Sequence, residues 1–100
     1  MYGAIRTYRV TDAAELSRRV RDEFIPIVSE VPGFLMYHLL DSGDGTLSSI
    51  TICEDREGTE ESTARAADWV RERAAPLIES GPAITAGEIT VDHSPVRASA

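Results

Sequence analysis

FLMYHLLDSGDGTLSSITICE, residues 34–54, decides the fold of this chain because it predicts a β-hairpin. Apolar and β-branched residues fill two strands, 34–41 and 46–54. Between them, Ser-Gly-Asp-Gly at residues 42–45 has the composition of a tight turn. The two strands are therefore expected to pair in antiparallel fashion.

Pairing of Asp41 with Thr46 across this turn would fix the register of the hairpin. His38 would then share one face with Ser49 and Thr51, as a small polar patch among apolar residues. Neither face of the hairpin is polar, yet helices on one side of a sheet can cover only one face. We therefore expect a partner on the other face, and a homodimer is the simplest choice because two-fold dimers are the commonest oligomers.

The segments on either side of the hairpin alternate between strand and helix. Residues 2–10 alternate as a strand does, and Asp12 is a suitable N-cap for an amphipathic helix. Because Pro26 lies inside its pattern, this helix should kink or end early near Phe24. A second amphipathic helix is predicted over residues 59–78 and a last strand over residues 84–91. The order βαββαβ predicts a ferredoxin-like α+β fold, a four-stranded antiparallel sheet with two helices on one face.

Length and charge limit what this domain can bind. The 100 residues fit one domain, which we assign to residues 1–93, followed by a polar C-terminal tail at 94–100. The net charge of -7 argues against nucleic acid and acidic lipid surfaces as partners. Because the chain has neither a secretory signal nor an apolar run long enough to span a membrane, we expect a cytoplasmic protein.

Several kinds of catalytic site are excluded by composition. All ten basic residues are arginine, and the chain contains no lysine, asparagine or glutamine. A Schiff-base lysine, a phosphate-binding lysine and a carboxamide oxyanion hole are therefore excluded. No spacing of His, Cys, Asp and Glu resembles a metal site, so we predict no metal.

Three stretches resemble one known family: residues 31–35, Val-Pro-Gly-Phe-Leu, the hairpin after them, and the alanine-rich helix carrying Trp69-Val70. They are similar to the antibiotic biosynthesis monooxygenases of the dimeric α/β-barrel superfamily. This resemblance implies a homodimer whose sheets face each other, with a pocket between sheet and helices in each subunit. It also implies oxygenation of phenol, quinol or polyketide-type aromatics without a cofactor.

The chain departs from this family at two points. Where several such enzymes have an asparagine on the first strand, this chain has Arg6. No histidine follows Trp69 on its helix, which argues against the haem degradation that other members perform.

His38 is the candidate catalytic residue, because a base of near-neutral pKa could take a proton from a phenol or hydroquinone. The alternative is a histidine hydrogen-bonded within a core or a dimer interface. The candidate substrate-binding residues are Arg6, Tyr8, Thr51 and Trp69. Arg6 could instead pair with an acidic neighbour, and Trp69 could simply pack at an edge of the core.

Two classes of function follow from these candidates. The first is a small cofactor-independent monooxygenase acting on an aromatic compound. The second is a non-catalytic protein of the same fold that binds small molecules or is associated with stress, in which His38 and Trp69 are structural. A polyketide cyclase or isomerase using the same pocket is a further alternative, so whether the protein is an enzyme stays open.

Overall fold

A computed structural model describes residues 1–95 of the chain. Within it, the four strands are β1 (Tyr2–Val10), β2 (Phe34–Asp41), β3 (Thr46–Cys53) and β4 (Ile78–Glu88). They form one sheet in the order β2-β3-β1-β4, and every neighbouring pair is antiparallel. The helices pack on one face, which we call the inner face. The predicted ferredoxin-like fold is therefore confirmed.

The first helical segment begins at Asp12, whose side chain accepts a hydrogen bond from the backbone N–H of Glu15 at 3.0 Å. This segment comprises α1 (Ala13–Arg19), a π-helical turn (Val20–Phe24) and α2 (Ile25–Val28). The second helical segment comprises α3 (Arg56–Trp69), a π-helical turn (Val70–Ala74) and a 3-10 turn (Ala75–Leu77).

Both π-helical turns lie just before a proline, Pro26 in one segment and Pro76 in the other. Proline cannot donate an N–H and crowds the preceding turn, so a wider turn there removes the conflict. The expected disturbance at Pro26 thus takes the form of a widened turn near Phe24, and the helix continues to Val28.

The core lies between the helical segments and the inner face of the sheet. Alternate residues of β1 and β3 are buried there, as the two-residue period of a strand requires. On β1 these are Ala4, Arg6, Tyr8 and Val10, and on β3 they are Leu47, Ser49, Thr51 and Cys53. The core therefore contains a short row of polar side chains as well as an apolar cluster.

The predicted hairpin register is wrong by one residue. Asp41 pairs with Leu47 instead of Thr46, and His38 therefore lies opposite Ile50. The turn holds one more residue than the prediction assumed, with Gly43 and Gly45 at φ of 84° and 87°. Because a shift of one residue moves every side chain to the other face, β2 presents Tyr37 and Leu39 to the core.

The face of the sheet away from the helices, which we call the outer face, is apolar and uncovered. Ile5 is 42% exposed and Leu40 is 56% exposed, and Met36 lies on the same face. Half-buried Ile50 and Ile52 lie between them on β3. The expectation of an uncovered apolar face is thus correct despite the register error.

The last strand begins earlier than predicted. It runs over Ile78–Glu88 instead of residues 84–91, since the chain passes through Gly81-Pro82 without leaving the sheet. This strand forms an edge, where proline is tolerated. Most of the predicted polar tail, 94–100, lies outside the described residues, and the domain assignment to residues 1–93 stays a prediction.

Candidate ligand-binding cavity

A small cavity lies between the inner face of the sheet and the two helical segments. Its volume is about 30 Å³, room for about two water molecules. The walls are mainly apolar and aromatic, and polar groups enter from β1, β2 and β3. The lining residues that matter for its chemistry are Arg6, Tyr8, Phe24, Tyr37, Ser49 and Trp69.

Arg6 reaches the cavity from the middle of β1 and is only 1% exposed. Its Nε donates a hydrogen bond to Ser49 Oγ at 3.2 Å, and its Nη2 donates to Thr51 Oγ1 at 2.7 Å. The remaining nitrogen, Nη1, donates to Thr63 Oγ1 of α3 at 2.8 Å. These partners are all neutral hydroxyl groups, and no ion pair within residues 1–95 involves Arg6. The alternative that Arg6 pairs with an acidic neighbour is therefore wrong.

Burial affects the protonation of the groups around this cation. It lowers the pKa of Arg6, and the nearby Tyr8, Tyr37 and Cys53 act in the opposite direction. A guanidinium nevertheless stays charged in proteins. Burial raises the pKa of Tyr8, and raises that of Tyr37 to about 12, although the charge of Arg6 lowers both in part. Both phenols are therefore neutral at physiological pH and cannot neutralise Arg6.

Trp69 lines the cavity from the end of α3 and is buried. Its ring packs against Phe24, with ring centroids 5.6 Å apart and planes inclined by 44°. The indole Nε1 donates a hydrogen bond to Glu23 Oε1 at 3.2 Å. Trp69 thus contributes to the cavity wall and also packs in the core, so the two interpretations of its role are compatible.

Glu23 joins the two π-helical turns. Besides Trp69, it accepts hydrogen bonds from Arg73 Nε at 2.9 Å and Arg73 Nη2 at 3.3 Å. The guanidinium of Arg19 donates to the backbone carbonyl of Arg73 at 2.8 Å. Hydrogen bonding to Arg73 and, less strongly, to Trp69 keeps the pKa of Glu23 below its ordinary value although desolvation opposes this. We call Glu23, Trp69 and Arg73 the helix bridge.

The predicted site residues do not all come together. Arg6, Tyr8 and Trp69 line the cavity. Thr51 is buried beside it and holds the Arg6 guanidinium without lining the space. His38 is exposed on the opposite face, so it is separated from Ser49 and Thr51, with which the predicted register had grouped it.

His38 lines a separate surface groove beside β2. The walls of that groove include Val20, Tyr37 and Leu39, and the same three residues line the cavity. These side chains therefore form the partition between the cavity and the groove.

Sequence reasoning missed Tyr37, Glu23 and Thr63. Strand alternation places Tyr37 on the face opposite His38, and the observed register makes this face the inner one. Thr63 and Glu23 both lie on helical segments. No local pattern marks either residue, because their hydrogen-bond partners are far away in sequence. The partner of Thr63 is 57 positions away, and those of Glu23 are 46 and 50 positions away.

Two further observations concern other kinds of site. Throughout residues 1–95, no group of three or more His, Cys, Asp or Glu side chains is arranged to hold a metal ion. In the same part of the chain, no helix has the length and apolar character needed to cross a membrane.

Solved structures with the same fold are numerous. A protein of unknown function from Nitrosomonas europaea matches with a TM-score of 0.78 at 19% identity, over 95% of this chain and 94% of that one. The ActVA-Orf6 monooxygenase of Streptomyces coelicolor, solved with Nanaomycin D, matches with a TM-score of 0.73 at 21% identity, over 95% and 92%. A protein named antibiotic biosynthesis monooxygenase matches with a TM-score of 0.70 at 17% identity, over 91% and 100%.

No protein-family model and no curated protein sequence matches the chain. Likenesses at about 20% identity show the fold and not the activity. The chain therefore has the ferredoxin-like fold of the antibiotic biosynthesis monooxygenases, as the resemblance of its sequence predicted.

Proposed function

We propose that the protein is a small cofactor-independent monooxygenase-like enzyme that acts on an aromatic compound in the cavity between sheet and helices. The observation that carries this proposal is an aromatic wall around one buried cation, Arg6. Flat apolar side chains suit an aromatic ring, and a fixed guanidinium suits an oxygen that gains negative charge. The fold shared with ActVA-Orf6, which is named a monooxygenase, supports the same class of function.

The residues divide the work as follows. Tyr8, Tyr37 and Trp69 would position the ring, and Arg6 would stabilise the phenolate or enolate formed when the substrate loses a proton. The resulting electron-rich anion is the species that reacts with oxygen. The role of base stays a prediction for His38. The grouping with Ser49 and Thr51 no longer supports it, because His38 does not line the cavity.

An aromatic ring needs more room than about 30 Å³, so binding must be accompanied by opening of the cavity. The partition formed by Val20, Tyr37 and Leu39 is the suggested entrance. This entrance lies between the edge strand β2 and the first helical segment, whose π-helical turn begins at Val20.

Oxygen uptake with a hydroquinone or an anthrone tests the activity. We expect the wild-type protein to consume oxygen and Arg6→Met to lower the rate about a hundredfold, because it removes the charge that stabilises the anion. Arg9→Met, an exposed position on the same strand, is the matched control and should keep the wild-type rate. Absence of oxygen uptake with every such substrate would contradict the proposal.

His38→Ala decides the separate question of the base. If turnover falls while affinity for the aromatic compound is kept, His38 has the predicted catalytic role. If turnover is kept, that prediction is wrong and the proton leaves by another route.

We further propose a homodimer that covers the outer face. The exposed Ile5, Met36 and Leu40 lie on this face together with the half-buried Ile50 and Ile52. An exposed apolar surface of this kind is typical of an interface. A second copy is the occupant that the two-fold symmetry of most small oligomers favours.

A binding protein without catalysis is the second candidate, and the small volume of the cavity, about 30 Å³, favours it. In addition, every buried side-chain nitrogen and oxygen among residues 1–95 has a hydrogen-bond partner. The oxygen-uptake experiment separates the two candidates, because a binding protein would retain aromatic compounds without oxidising them.

A further inference from the structure

We propose that the natural ligand of the cavity carries a negative charge, as a carboxylate or a phenolate, and that this charge binds the guanidinium of Arg6. The proposal rests on the proposed function only in using the same cavity. It applies equally to an enzyme and to a binding protein, since it concerns which ligands enter and not what happens to them.

The charges around the cavity do not balance. Arg6 is the one charged side chain that lines it within the described part of the chain, and the lining phenols Tyr8 and Tyr37 are neutral at physiological pH. The hydroxyl groups that hold Arg6 carry no charge either. The cavity therefore has a net positive charge that the described residues leave uncompensated.

The missing counter-ion is not explained by a shortage of acidic residues. The chain has 17 of these against 10 arginines. Seven ion pairs between arginine and carboxylate occur within residues 1–95, and all of them join residues at the molecular surface or near it. The most deeply buried guanidinium is thus held by hydroxyl groups alone. A buried charge without a partner is costly, so a bound anion would relieve an existing cost.

The guanidinium of Arg6 also has unused hydrogen-bond capacity. A guanidinium has five N–H donors, and the three bonds of Arg6 each use one. The two nitrogens Nη1 and Nη2 each keep a further N–H. The bonds to Ser49, Thr51 and Thr63 hold the guanidinium in a fixed orientation, so a ligand oxygen meets a donor that is already positioned.

Benzoate and benzamide are suitable probes because they share size and shape and differ in charge. Trp69 is the only tryptophan of the chain and lines the cavity, so its fluorescence reports binding. We expect wild-type protein to bind benzoate at least about tenfold more tightly than benzamide, as expected for a hydrogen bond to a charged group. This preference should disappear in Arg6→Met and remain in part in Arg6→Lys, which keeps the charge.

Arg9→Met is again the control, since it removes the same charge from an exposed position and should leave the preference unchanged. Equal binding of the two probes by the wild type would overturn the proposal while leaving the cavity as a ligand site. A benzoate preference that survives in folded Arg6→Met would also overturn it. If neither probe binds, the cavity is not a site for small aromatic ligands, and the proposed function fails together with this inference.

Discussion

At the scale of single residues, the charge of Arg6 and the neutrality of its neighbours define the chemistry of the cavity. Tyr37 is central to this arrangement, because its ring packs on Phe24 with centroids 5.7 Å apart and it lines the cavity. Burial makes ionisation of its hydroxyl unfavourable and raises its pKa to about 12. A phenol that stays protonated can donate a hydrogen bond to a ligand oxygen.

Alkaline titration of Tyr37 tests this environment. The pKa of Tyr37 rises on folding from 10.0 to about 12. The contribution of Tyr37 to the free energy of unfolding is therefore fully present below pH 10.0 and is lost as the pH rises through about 12. We expect ultraviolet absorbance to show a tyrosine that ionises near pH 12, and Tyr37→Phe to abolish this step. The control is Tyr2→Phe, at a half-buried tyrosine that does not line the cavity. Persistence of the late step in Tyr37→Phe would show that another tyrosine is responsible.

Strand alternation was sufficient to predict that Arg6 and Tyr8 share a face, because every second residue of a strand points the same way. Alternation alone could not tell which face of the sheet His38 lies on, since that depends on how many residues the turn between β2 and β3 contains. The backbone of the turn, with Gly43 and Gly45 both at positive φ, decides that number, and residue type alone does not specify it.

At the scale of elements, the helix bridge connects the two helical segments beside the cavity. Glu23 accepts hydrogen bonds from both Trp69 and Arg73, which follow each other closely on the second helical segment. Both π-helical turns lie at this bridge. The prolines that follow these turns could be read from the sequence, whereas a contact between residues 46 to 50 positions apart could not.

Glu23→Gln should destabilise the protein at neutral pH, because it removes the negative charge that pairs with Arg73. The pKa of Glu23 is lower in the folded protein than its ordinary 4.5, so its contribution is present above that value and is lost as acid protonates the folded state. Urea unfolding at a series of pH values should show the difference from wild type shrinking below pH 4.5. Glu61→Gln, which breaks only the local pair with Arg65, serves as control. If the difference in unfolding free energy between wild type and Glu23→Gln did not change with pH, the assigned role of the Glu23 charge would be wrong.

Gly58 lies in the first turn of α3, next to Cys53 at the end of β3, where a side chain has no room. A Cβ atom there would lie 2.9 Å from Cys53 Cβ and 3.0 Å from the carbonyl oxygen of Pro32. Gly58→Ala should therefore cost about 1–3 kcal/mol in unfolding free energy, more than the gain of up to about 1 kcal/mol in helix propensity. Gly87→Ala has open space and should be nearly neutral. Chemical denaturation measures both, and a stabilised Gly58→Ala protein would show that the contact is relaxed.

At the scale of the whole molecule, the exposed apolar outer face is the surface that the proposed homodimer would cover. The order of elements and the presence of apolar residues on both sheet faces were sufficient to predict an uncovered face, and this conclusion survived the error in register. Both faces of the hairpin are apolar, so exchanging them leaves one apolar face outside. The error in register changed only which β2 residues are expected to line the cavity.

Ile5→Asp tests the role of the outer face in association. A carboxylate at the centre of an apolar interface would be buried without a partner, so we expect a dimer for the wild type and a monomer for this variant. Ala64→Asp places the same charge on an exposed position of α3 and should remain dimeric. Light scattering after size-exclusion chromatography gives the masses. A wild-type monomer at micromolar concentration would contradict the proposed dimer.

We propose the cavity between sheet and helices as the functional site, in which Arg6 receives the charge of the ligand. A crystal structure of the wild-type protein with benzoate tests this most directly. We predict that the carboxylate accepts hydrogen bonds from the guanidinium of Arg6, with the ring among Tyr8, Tyr37 and Trp69. Benzoate bound only in the surface groove beside His38, or on the outer face, would contradict it.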